Sequence, residues 1–222
     1  YGVAVTGYTT DASGSVTAVE TTAGSISCEQ LIVGAGAWTP RHWEWLGGPS
    51  KLDMKYADGT VVSDKDMWTY WRLLEGEVIL PDGVDFRTAQ MKDSPVLHVE
   101  LMDTPVYADD GRLLKDHVYT YMRYAAERVG VPGLQGGTIP IQLGPQANPD
   151  PYGHLNDEYQ ADEWFADYYC ATLGLLFKRF EGIRPYFKER RNGGIGAFTP
   201  DNVPIFDRVV DNAFVIADSN HG

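Results

Sequence analysis

The sequence is short of cysteine, of basic charge and of long apolar runs, and each shortage removes a class of protein. Cys28 and Cys170 are its two cysteines, too few for the disulfide framework of a small secreted scaffold. They read as two reduced, buried thiols. Lys and Arg total 18 against 31 Asp and Glu, a formal net charge of −13, and no basic run exceeds the Arg190-Arg191 pair. A surface that tracks nucleic-acid phosphates, or one that docks on anionic lipid, needs the opposite balance. No stretch approaches the ~20 apolar residues of a membrane-spanning helix, and the opening YGVAVTGYTT lacks the charged-then-apolar plan of a signal peptide. Neither nucleic acid nor membrane is expected as a partner, and a cytoplasmic location is the expectation. Chemical motifs are sparse too. The five histidines (42, 98, 117, 154, 221) form no H-E-x-x-H and pair with no cysteine, which argues against a metal site. There is no G-x-S-x-G elbow and no phosphate loop carrying a lysine.

What is present is a globular composition: 222 residues, 43% hydrophobic and 12% aromatic, with 24 Gly and 13 Pro, enough for one large or two modest domains. Tyr1 is not an initiator and the chain closes on a glycine after a strand-like run, so it reads as an internal or C-terminal piece of a longer polypeptide. Residues 1 to 36 alternate β-rich runs with turn clusters, the pattern of a β-meander. Leu31-Ile32-Val33 is a short apolar strand that ends in Gly34-Ala35-Gly36-Ala37-Trp38, the usual setting for a backbone that approaches a ligand closely. Thr39-Pro40 predicts a helix start, with Thr39 as cap and Pro40 at the first position. Residues 47 to 95 read as irregular, holding one or two strands. VLHVEL (96–101) and HVYTYMRY (117–124) alternate with period two and predict half-buried strands. In the second, His117, Tyr119, Tyr121 and Arg123 share one face, which either lines a cavity or is an ordinary solvent face. TIPIQL (138–143) is strand-like. Asp157 to Phe180 carries the clearest helical pattern, with an acidic first turn. The end reads as strand, turn, strand and a tight glycine turn.

The order of these parts, a meander feeding LIVGAGAW, a mixed sheet, then GGIGAFTPDNVPIFD and NAFVIADSNHG, resembles the D-amino-acid oxidase superfamily of FAD-dependent oxidoreductases, the group with glycine oxidase and monomeric sarcosine oxidase. The match is close over 29–40 and 192–222. The resemblance implies an α/β (mixed α+β) chain, part of a Rossmann-like FAD-binding domain plus an antiparallel-sheet substrate domain. Residues 1–46 and 186–222 would belong to the FAD domain and 47–185 to the substrate domain. It places Gly34, Ala35, Gly36, Ala37 and Trp38 along the cofactor and Val5 near its adenine end. Gly193, Gly194 and Ile195 match the segment bordering the isoalloxazine ring, and Asn220, His221 and Gly222 the tight turn at its pyrimidine end. The family's covalent cysteine aligns with Gly194, so the FAD is expected to be non-covalent.

The family's N-terminal G-x-G-x-x-G loop is absent, so the rest of the parent chain or a partner subunit would supply it. Gly182-Ile183-Arg184-Pro185 resembles the family's carboxylate-binding G-L-R-P, although the alignment through Thr199-Pro200-Asp201 puts that position near Gly196-Ala197; Arg184 is either the clamp or a look-alike. Tyr119, Tyr121 and Arg123 are the other expected substrate contacts, and Tyr119, Tyr121 and His221 the expected catalytic residues. Trp68, Tyr70 and Trp71 are read as core or as an aromatic wall for a cationic amine. The implied reaction is oxidation of a C–N bond in a small-molecule amine or amino acid by hydride transfer to flavin. Two alternatives stay open: a non-catalytic subunit or β-rich interaction module, and a flavin-dependent C–O dehydrogenase of the glycerol-phosphate type.

Overall fold

A computed structural model describes residues 1–79, 95–124, 133–138, 141–149, 162–182, 186–189 and 193–217. In chain order the first strands are β1 (Val5–Thr10), β2 (Val16–Thr21), β3 (Gly24–Ser27) and β4 (Leu31–Val33), followed by helix α1 (Thr39–Trp45). Next come β5 (Lys51–Lys55), β6 (Val61–Asp66), β7 (Thr69–Ile79), β8 (Leu97–Leu101), β9 (Val106–Tyr107) and β10 (Leu113–Lys115). Then follow β11 (Val118–Tyr124), β12 (Gly133–Thr138), β13 (Ile141–Gly144), helix α2 (Glu163–Leu176), β14 (Tyr186–Glu189), β15 (Gly193–Phe198), β16 (Ile205–Val210) and β17 (Ala213–Ala217). The chain divides into two compact units, one of Tyr1–Trp71, Gln142–Asp150 and Ile195–Gly222, the other of Arg72–Ile141 and Pro151–Gly194.

The first unit begins with the expected meander, β1-β2-β3, antiparallel throughout. Its first turn is held by the Asp11 carboxylate, which accepts from the Ser13 and Ser15 amides, with Gly14 at φ +86°, a conformation glycine adopts without cost. Strand β4 leaves the meander and pairs in parallel with β17, which is itself antiparallel to β16. One face of this sheet carries the buried Val33, Ala213, Val215 and Ala217, and the other presents Ile32, Phe214 and Ile216. Asn212, in the turn before β17, ties the two sheets together. Its Oδ1 accepts from the Val16 amide at 2.8 Å, while its Nδ2 donates to the Val16 carbonyl at 2.7 Å and the Glu29 carbonyl at 2.9 Å.

In the second unit the sheet runs β7-β12-β11-β8, every pair antiparallel, with β14 also pairing along β7. Period-two alternation sends Val118, Thr120 and Met122 of β11 inward, all buried. Helix α2 covers that face. Phe165, Tyr169 and Leu173 pack with Met122, Leu134 and Phe180, and Tyr168 packs with Val106, Ala108, Leu114 and Val118. Each such side chain, fully buried, stabilises by about 1.5–3 kcal/mol. The Tyr168 hydroxyl accepts from the Tyr119 amide at 2.9 Å and donates to the His117 carbonyl at 2.8 Å, pinning the helix to the start of β11. The helix is capped by the Asp162 carboxylate, which accepts from the Phe165 amide at 2.8 Å.

The architecture is strand-rich, with α1 and α2 the helices of more than one turn among the described residues, and it departs from the sequence expectations at several points. Thr39 is not the cap of α1: the helix starts at Thr39 with Trp38 before it and no side-chain cap, because the preceding 3-10 turn, Gly36–Trp38, already supplies helical geometry. Three strands, not one or two, lie between 47 and 79. Strand β12 occupies the glycine-rich 133–138, and TIPIQL is split between β12 and β13. Strand β11 begins at Val118 rather than His117. The helix expected over 157–180 runs from Glu163 to Leu176, its start set by Asp162; residues 157–161 lie outside the described residues. Cys170 is buried but Cys28 is only partly so, and neither is in a disulfide. Trp68 and Tyr70 are core residues, 6% and 5% exposed. Among the described residues no helix is long and apolar enough to cross a membrane.

Candidate functional site

The small-residue turn after β4 has the geometry its sequence predicts. Val33 is buried and in parallel register with Val215 of β17, so the two strands end side by side. Gly34 and Gly36 are exposed, and a Cβ built on either meets no atom within 4 Å. Gly36 has φ +55°. The turn closes with the Trp38 amide donating to the Ala35 carbonyl at 3.0 Å and the Thr39 amide to the Gly36 carbonyl, with Ala37 packed inward. At its foot the Thr39 hydroxyl is fully buried and has no hydrogen-bond partner among the described residues. A buried hydroxyl without a partner is costly.

The other expected cofactor residues are placed less completely. Asn220, His221 and Gly222, which follow β17, lie outside the described residues, as does Arg184. Gly193, Gly194 and Ile195 form the start of β15, with Ile195 buried, in a strand that is not part of the β16-β17-β4 sheet. Val5 opens β1, 38% exposed. Sequence reasoning missed a neighbouring aromatic cluster. The Tyr8 hydroxyl on β1 is hydrogen-bonded to His42 Nδ1, and Trp45 packs edge-on to both rings. Burial, then the nearby Cys28, push the Tyr8 phenol up to about 12; burial, then Arg41, hold the His42 imidazole below its ordinary value. The i, i+3 spacing of His42 and Trp45 on α1 was the available signal.

In the second unit Tyr119, Tyr121 and Arg123 do share the face of β11 turned away from α2, and cross-strand register gathers further groups beside them. Tyr119 stands opposite Glu100 and Tyr121 opposite His98. Tyr121 also stands opposite Gly137, and Arg123 opposite Gln135. The His98 ring meets Tyr119 edge-on at 4.8 Å and Tyr121 at 6.4 Å. Gly137 gives the Tyr121 ring its room, since a Cβ there would lie 2.5 Å from the phenol carbon. Arg123 donates from Nε and Nη2 to the Gln135 Oε1 at 3.1 and 2.8 Å. Burial, then Glu100, raise the Tyr119 phenol above its ordinary value, so Tyr119 stays a neutral donor. His98 and Glu100 were legible as one face of VLHVEL; Gln135 and Gly137, inside a glycine-rich segment, were not. A cavity of about 1010 Å³ lies instead on the helix side between β9 and α2 and contains none of these residues. Among the described residues no group of His, Cys, Asp and Glu could hold a metal ion.

No protein-family model matches the chain, and no curated protein does. Solved structures do. L-proline dehydrogenase from P. horikoshii superposes with a TM-score of 0.55 at 11% identity, covering 99% of this chain and 45% of that one. Glycine oxidase from Geobacillus kaustophilus gives 0.51 at 16% identity, with 99% and 44% covered. L-amino acid deaminase from Proteus vulgaris gives 0.53 at 13%, with 96% and 49% covered. The chain therefore has a fold found in enzymes named for work on amino acids. It spans less than half the length of these structures.

Proposed function

We propose that the chain is part of an FAD-dependent oxidoreductase that oxidises the C–N bond of an amine or amino acid. The observation that carries the reading is the parallel pair β4 and β17: the two segments that resemble cofactor-contacting motifs, Gly34–Trp38 and Asn220–Gly222, each follow the carboxyl end of one of these adjacent strands. Crevices at the carboxyl ends of parallel strands are where such sheets bind ligands. The fold shared with amino-acid oxidising enzymes agrees with it.

The residues present fit the cofactor. Gly34 and Gly36 leave open space beside their turn, where a Cβ would meet no atom within 4 Å. Gly34, Ala35, Gly36, Ala37 and Trp38, with Val5, Gly193, Gly194, Ile195, Asn220, His221 and Gly222, would hold FAD non-covalently, the remaining phosphate contacts coming from the rest of the parent chain or a partner. Bound FAD supplies the hydride acceptor. In this reading residues 47–185 bind substrate. The Arg123 guanidinium and the Tyr119 and Tyr121 hydroxyls orient a carboxylate, with Arg184 a further candidate cation. His98 and the tyrosine rings wall the amine end. An amine that arrives neutral needs no dedicated base; water hydrolyses the resulting imine.

The test is the visible absorption spectrum of the purified full-length protein before and after heat denaturation. A bound flavin released into the supernatant is the expected result, and oxidation of amines but not of phosphorylated alcohols follows. A colourless, folded protein refutes the reading.

A further inference from the structure

Arg123 is held in an unusual way for a surface arginine. Its cross-strand neighbour Gln135 is only 5% exposed, and one amide oxygen, Oε1, accepts from both Nε at 3.1 Å and Nη2 at 2.8 Å. A guanidinium has five N–H groups. Two point back at Gln135; the remaining three, on Nη1 and Nη2, form the outward fork that matches a carboxylate bidentately. The partner is also neutral. Among the described residues no carboxylate pairs with Arg123, and in the same cross-strand row Glu77 of β7 is separated from it by Gln135 itself. A glutamate at 135 would reach the same two nitrogens and cancel the charge. The glutamine aims the guanidinium and leaves its charge available.

We propose that Gln135 is the residue that makes this face selective for a carboxylate-bearing ligand, by fixing the inner edge of the Arg123 guanidinium without neutralising it. The inference rests on the reading of this face as the substrate side of an amine oxidoreductase. Gln135 acts through Arg123 and is a positioning residue.

Gln135→Glu isolates the charge, because it preserves shape and the contact to Arg123. Propionate and its neutral isostere propionamide, titrated into the purified protein by calorimetry, measure the anion preference directly. The wild-type protein should prefer propionate by about tenfold or more, the scale of a hydrogen-bonded charge pair, and the Arg123 Nε–Hε resonance should move on binding. In Q135E that preference should vanish and the resonance stay still, while propionamide binding is unchanged. Equal preference in Q135E and wild type overturns the proposal, as does a wild-type protein that does not distinguish the two probes. If Q135E fails to fold, Arg123→Gln carries the test and must abolish the preference. A protein that shows the Gln135-dependent preference but carries no flavin and oxidises no amine would sink the enzymatic reading alone.

Discussion

Asn212 is the sharpest test of how the first unit is held. Replacing it with alanine removes three side-chain hydrogen bonds: two to the peptide groups of Val16 and one to the Glu29 carbonyl. Val16 is 1% exposed, so its amide and carbonyl lose their partner where water does not readily replace it, at about 1–3 kcal/mol each. Glu29 is exposed and its carbonyl returns to solvent at little cost. The expected loss is therefore about 3 kcal/mol, which for a chain of this size lowers Tm by roughly 6–12 °C. Urea denaturation followed by tryptophan fluorescence reads this unit selectively, because Trp38, Trp43, Trp45, Trp68 and Trp71 lie within it and Trp164 alone lies in the other. Asn212→Asp adds a directional check. The aspartate keeps the acceptor for the Val16 amide but sets an oxygen against two carbonyls, which favours its protonated form and raises its folded-state pKa. Stability tied to a raised pKa is present below the unfolded value, about 3.9, and is lost as pH rises through the folded one. N212D should thus approach wild type near pH 4 and fall away by pH 7. A loss below about 1 kcal/mol in N212A, or a pH-independent deficit in N212D, would refute the reasoning.

Two further outcomes follow from the same kind of accounting. Gly136→Ala should destabilise the second unit far more than Gly137→Ala, because a Cβ at 136 overlaps the Tyr121 backbone carbonyl and the Tyr169 hydroxyl, whereas at 137 it meets only the far end of the Tyr121 ring, which can swing; paired thermal melts decide it, and equal losses would contradict the packing described. Tyr8, its phenol raised to about 12, contributes stability that is intact below pH 10 and is lost between 10 and 12. Tyr8→Phe should move the alkaline unfolding midpoint upward, and an unchanged midpoint would place the titration elsewhere.

Local pattern carried a good share of this molecule. The meander was legible because β-rich runs alternate with Asp-, Ser- and Gly-bearing turns, and β11 because Val118, Thr120 and Met122 alternate with Tyr119, Tyr121 and Arg123. Those signals are short-range: side-chain period and turn chemistry act within a few residues. The open turn at Gly34–Trp38 belongs with them. Strand β12 was invisible because its glycines have no β propensity; only the approach of Tyr169 on one side and Tyr121 on the other explains why Gly136 and Gly137 are there.

The same limit applies to the site. That Tyr119, Tyr121 and Arg123 share a face follows from the period of a strand. That His98, Glu100, Gln135 and Gly137 join them depends on pairing register between segments far apart in sequence, and no local propensity encodes register. The parallel alignment of β4 with β17, which sets Leu31 beside Ala213, is of the same kind. The sequence alone determined which residues could be strand, turn or polar face; the tertiary structure decided which of them meet, because long-range pairing is selected by the whole core and the backbone hydrogen bonds it must satisfy.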